Sequence, residues 1–96
     1  MNKFTLIIFY VIAALSFEQE GIISGKVLEK STGEALLGAT VLNLNTNKGT
    51  TTDFDGLFTI AASSGDILKF SYIGTLPKQV TVVNSDFITV SLLADV

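Results

Sequence analysis

Several short stretches of this chain carry residue types that do chemistry in other settings. Asp53-x-Asp55-Gly56 has the opening rhythm of a calcium-binding loop. A full loop needs further oxygen ligands and a bidentate glutamate six residues after its glycine, and position 62 is Ala. The same residues suit a tight turn, in which Asp side chains accept hydrogen bonds from backbone N–H groups and Gly56 takes a positive φ. We expect the turn and no metal site. Lys48-Gly49-Thr50 looks like the tail of a phosphate-binding loop, but it lacks the preceding glycine and no helical pattern follows. Ser63 and Ser64 offer hydroxyls with no base to activate them. Tyr72 ends the stripe Leu68, Phe70, Tyr72. Alternation assigns the first two to a core, whereas the amphipathic tip of Tyr72, near a strand end, is a candidate partner contact.

The chain has 96 residues and contains no Cys, His, Trp or Arg. These absences remove disulfides, thiolate and imidazole chemistry, the usual zinc ligands and bidentate arginine recognition. We therefore expect no catalytic, cofactor-binding or metal-binding residues, and no enzyme. The six Lys face nine acids, for a net charge of −3. That balance argues against a nucleic-acid partner, which wants clustered positive charge. With 48% hydrophobic residues the chain is not a disordered polar segment.

The N-terminus reads as an address. Met1-Asn2-Lys3 supplies one positive charge, residues 4–15 are almost unbroken apolar sequence, and Ala14-Leu15-Ser16 places small residues at −3 and −1 before the polar Phe17-Glu18-Gln19-Glu20. This is the order of a secretory signal peptide, expected to cover residues 1–16 as a helix and to end in cleavage after Ser16. The apolar run is too short to span the roughly 30 Å of bilayer hydrocarbon comfortably. No Cys follows it, so lipidation there is not expected. The remainder carries five lysines against nine acids, net −4.

The elements that must position the candidate residues are strands. Glycines recur every five to eleven residues from position 25 to 74, and between them lie short runs rich in Val, Ile, Thr, Phe and Tyr. Regular short strands with turn signals predict an all-β sandwich. The expected strands are residues 22–29, 39–45, 50–52, 57–61, 67–73, 77–83 and 87–93. The second has an ambiguous alternation, Thr40, Leu42 and Leu44 competing with Ala39, Val41 and Asn43, which suggests cover on both faces or a bulge. Pro77 marks the sixth as an edge strand, and Asn84-Ser85-Asp86 is read as the last turn. The predicted core is Ile23, Val27, Val41, Phe58, Ile60, Leu68, Phe70, Val80, Val82, Ile88, Val90 and Leu92.

Four segments in order are similar to a known family: Gly25-Lys26-Val27; Gly33-Glu34-Ala35-Leu36-Leu37-Gly38-Ala39-Thr40-Val41; Lys48-Gly49-Thr50-Thr51-Thr52-Asp53-Phe54-Asp55-Gly56-Leu57-Phe58; and Leu68-Lys69-Phe70-Ser71-Tyr72-Ile73-Gly74. Over residues 21–93 the chain resembles the carboxypeptidase regulatory-like domain, in the form found at the N-termini of SusC/RagA-type TonB-dependent outer-membrane receptors. Ala35 and Thr75 depart from that pattern, which often has Pro and an aromatic residue there.

The resemblance implies a seven-stranded, Ig-like or transthyretin-like β-sandwich without catalytic residues. It implies a periplasmic accessory or interaction domain at the outer membrane of a Gram-negative cell, belonging to a nutrient receptor. The implied partner is that receptor's plug and barrel or another periplasmic protein, and membrane association is indirect. No plug, barrel or TonB box is evident before Asp95-Val96, so a fragment or truncated product is expected. The alternative is a secreted stand-alone module that binds carbohydrate or protein.

Overall fold

The computed structural model describes residues 21–83 and 87–95. The expected signal segment, residues 1–16, and the turn at Asn84-Ser85-Asp86 lie outside the described residues.

β-branched and aromatic residues favour the pleated, half-buried backbone of a sheet, and the glycine- and asparagine-bearing segments between them favour turns. Each such run here forms a strand. In chain order they are β1 (Gly21–Glu29), β2 (Thr40–Asn43), β3 (Gly49–Thr51), β4 (Leu57–Ala62), β5 (Ile67–Ser71), β6 (Lys78–Thr81) and β7 (Phe87–Leu92). They form two sheets, ordered β4-β1-β7 and β3-β2-β5-β6. The described residues form the all-β, seven-stranded Ig-like/transthyretin-like sandwich that the sequence predicts. β1 pairs antiparallel with β4, placing Ile23 opposite Ile60. It pairs parallel with β7, placing Ser24 opposite Phe87 and Glu29 opposite Leu92.

The inward faces of both sheets bury their apolar side chains, which is the main driving force for the sandwich. Ten of the twelve predicted core residues are buried, while Val80 and Ile88 are half-buried and packed against the others. Leu36, Ala39 and Ala62 join them. Phe58 of β4 meets Phe70 of β5 edge to face, with ring centroids 5.5 Å apart, joining the two sheets at their centre. Gly25 makes room for this contact. A Cβ there would lie 2.2 Å from the Ile88 carbonyl oxygen and 2.5 Å from the Phe58 ring.

β2 departs from expectation. Its registers with β3 and β5 run without a bulge, and its buried face, Val41 and Asn43, continues from the buried Ala39 just before it. The pattern looked ambiguous because one residue of that buried face, Asn43, is polar. Asn43 is fully buried, and its amide meets three partners, so burial does not leave a polar group unpaired. Its Nδ2 donates to the Ala61 carbonyl at 3.2 Å and to Asp66 Oδ2 at 2.9 Å, and its Oδ1 accepts from the Asn45 N–H at 2.9 Å. β5 stops at Ser71 rather than 73 because Tyr72, Gly74 and Thr75 form a turn: the Thr75 N–H donates to the Tyr72 carbonyl at 3.0 Å and Gly74 has φ 80°.

Candidate interaction surface

The tempting motifs resolve into turns. Asp53 Oδ1 accepts from the N–H groups of Asp55 and Leu57, both at 2.9 Å, and Gly56 sits at φ 75°. Asp53 is thus an Asx-type cap that starts β4. Among the described residues no three His, Cys, Asp or Glu side chains gather where they could hold a metal ion. Lys48-Gly49-Thr50 runs from the β2–β3 turn into β3, where a phosphate loop would open a helix. The Ser64 hydroxyl donates to the Val83 carbonyl at 2.8 Å. Asp66 Oδ2 also accepts from the Ser63 N–H at 2.9 Å. The bonds from Asn43 and from Ser63 hold the Asp66 carboxyl below its usual range. Glu29 is lowered in the same way by Ser31 and Thr32, which close the β1–β2 turn. Tyr72 is half-buried against the core, immediately before the strongly exposed Ile73.

What distinguishes one side of the sandwich is its edges. Each two-sheet sandwich has four edge strands, and unpaired backbone groups on them can accept another strand. β3 is three residues long. On β4 the outward Leu57 is occupied by Asp53 in both directions, its N–H donating to Oδ1 and its carbonyl accepting the Asp53 N–H, and Ala61 accepts from Asn43. β6 is led by Pro77 and begins with Lys78, both common protections of an edge.

β7 lacks these protections. Its sequence from Phe87 to Leu92 has no charge and no proline. The Lys30 N–H donates to the Leu92 carbonyl at 2.9 Å. Alternate residues of a strand address opposite neighbours, so Ile88, Val90 and Leu92 face β1 while Thr89 and Ser91 direct their N–H and C=O groups away from it. No described residue hydrogen-bonds to those outward groups. The next outward position, Leu93, accepts from the Leu76 N–H at 2.8 Å, and Thr75 and Ala94 form a bridge beside it. That contact joins the two sheets at one end and leaves the space between β6 and β7 open.

At the closed end of this space lies a groove of about 210 Å³. Leu76, Pro77, Leu92 and Leu93 supply its apolar lining, and Ser91, Lys30 and Lys78 its polar lining. Both lysines are exposed, and neither side chain has a hydrogen bond or ion pair with a described residue. Tyr72 does not line the groove. The sequence reading missed this site. Its signal was the pair Leu92-Leu93: two consecutive apolar residues in an alternating strand force one outward, and Leu93 is half exposed.

The family model of the CarboxypepD_reg-like domain matches residues 23–95. TonB-dependent receptor P26 of Formosa agariphila is 49% identical over 74 residues, which are 77% of this chain and 7% of that receptor. TonB-dependent receptor SusC of Bacteroides thetaiotaomicron is 40% identical over 67 residues, 70% of this chain and 7% of that receptor. The chain therefore spans only a small part of the length of the curated relatives it matches. Among solved structures, a type II cohesin–X-dockerin complex from Acetivibrio cellulolyticus superposes with a TM-score of 0.57 and 24% identity, covering 73% of this chain and 51% of that one. The pilus 2b backbone protein of group B streptococcus gives a TM-score of 0.51 and 21% identity, over 79% of this chain and 42% of the other. At those identities the likeness is one of fold alone. The family match and the close sequence similarity together establish that the chain belongs to the CarboxypepD_reg-like domain family and is homologous to a short stretch of SusC-like TonB-dependent receptors.

Proposed function

We propose that this chain is a non-catalytic accessory domain of a TonB-dependent outer-membrane receptor, working on the periplasmic side by docking or positioning. The observation that carries the reading is the 49% identity to a TonB-dependent receptor across most of the sandwich. Chemistry supports the non-catalytic part. Asp66 and Glu29 are tied into turns, and the sequence offers no imidazole, thiol or guanidinium to partner them. The apolar run ahead of Ser16 supports export, with residues 1–16 as its signal. The partner is the receptor's plug and barrel or another periplasmic protein, with Tyr72 as one contact and membrane association indirect.

The test is protease accessibility in cells producing a C-terminally tagged chain, combined with crosslinking to the receptor. The tag is expected to survive protease in intact cells, to be digested once the outer membrane is permeabilised, and to crosslink to a receptor-sized species. Digestion in intact cells, or recovery of the unprocessed chain from the cytosol, would contradict the proposal.

A further inference from the structure

We propose that the β6/β7 side binds an extended acidic segment of a partner protein, which adds to the edge of β7 and places one apolar side chain in the groove. The inference rests on the docking role proposed above and deepens it by naming the surface and the chemistry of its occupant.

Three observations converge. First, Thr89 and Ser91 present outward N–H and C=O groups with no partner among the described residues, which is the requirement for strand addition. Second, the Leu76–Leu93 bond and the Thr75–Ala94 bridge stop an added strand at one end. The groove over Leu92 opens where such a strand would terminate. A cavity of about 150 Å³ already accommodates benzene, so about 210 Å³ holds a leucine or phenylalanine side chain. Third, the groove is flanked by Lys30 and Lys78, and no acidic side chain lines it.

That local charge is opposite to the charge of the whole chain, −3. A carboxylate beside the apolar anchor is therefore the complementary partner. Overall electrostatics would instead favour a basic one, so the sign of the preference is diagnostic.

The experiment uses fluorescence anisotropy of two labelled hexapeptides, ESVLVE and KSVLVK, titrated with the whole protein at low salt. ESVLVE is expected to bind about fivefold more tightly, the scale of two exposed ion pairs. Lys30→Glu combined with Lys78→Glu should reverse the order. Ser91→Pro should weaken both peptides about tenfold, since it removes an outward donor and spares the ladder to β1. If that variant fails to fold, ESVLVE with alternate N-methylated amides supplies the same backbone test. Equal affinity for the two peptides, preference for KSVLVK by the unaltered protein, undiminished binding after loss of the backbone donors, or no saturable binding up to millimolar concentration would each overturn the proposal. So would a self-association in sedimentation that Ser91→Pro abolishes, because it assigns the edge to a second copy. Protease accessibility and crosslinking report the receptor role independently, so failure of the peptide titrations leaves that result standing, and the reverse holds.

Discussion

Along the β3/β4 side, side chains reach into the backbone of neighbouring segments. Asn43 in β2 bonds to the Ala61 carbonyl of the other sheet. Buried Thr52 donates to the Leu36 carbonyl and accepts from the Ala39 N–H at 2.9 Å. Asp53 occupies the outer groups of Leu57. On the β6/β7 side the sheets meet through backbone at Leu76 and Leu93, and beyond that point, among the described residues, no backbone hydrogen bond joins β6 to β7. The two predicted core residues that stay half-buried, Val80 and Ile88, lie on β6 and β7. The lesson is that polar side chains seal one side at the cost of exacting geometry, while the other keeps unpaired backbone available for recognition.

Several substitutions break or sharpen this contrast. Phe70→Ala removes the fully buried ring shared by both sides and should cost about 3–5 kcal/mol. In a domain this small, that is expected to abolish the cooperative urea transition or move its midpoint far down. Asn43→Ala breaks the sealed side alone. It strands the Ala61 carbonyl and the Asn45 N–H and should cost about 1–3 kcal/mol by the same measurement.

Acid sharpens the comparison further. The folded state lowers the pKa of Asp66 through Asn43 and Ser63. Its contribution is therefore present above the ordinary carboxylate range and is lost as the pH falls through and below it. Glu29 acts in the same direction. The melting temperature should fall as the pH drops from about 5 to about 3, and Asn43→Ala should flatten part of that fall. An unchanged acid slope in that variant would detach Asp66 from the seal. The smallest effect is expected on the open side. Ser91→Pro should leave the melting temperature within about 2 °C, because Pro is tolerated where a strand's N–H faces solvent.

The strands were legible because their alternation and turn residues are local. Phe58 with Ile60, and Leu68 with Phe70, declare their inward face by spacing alone. Asn43 and Thr52 were not legible, since their burial depends on partners 13 to 23 residues away. The parallel pairing of β1 with β7 joins the two ends of the sandwich and left no local signal. The groove was hidden for a related reason: Lys30, Pro77 and Leu93 come from three separate segments that only the sandwich brings together.

Amide hydrogen exchange followed by NMR tests the central contrast most directly. In the free protein the Thr89 and Ser91 amides should exchange rapidly while those of Ile88, Val90 and Leu92 are protected by β1, and adding ESVLVE should slow Thr89 and Ser91 selectively. Protection of Thr89 and Ser91 in the free protein, or exchange there that the peptide leaves unaltered, would contradict an open recognition edge.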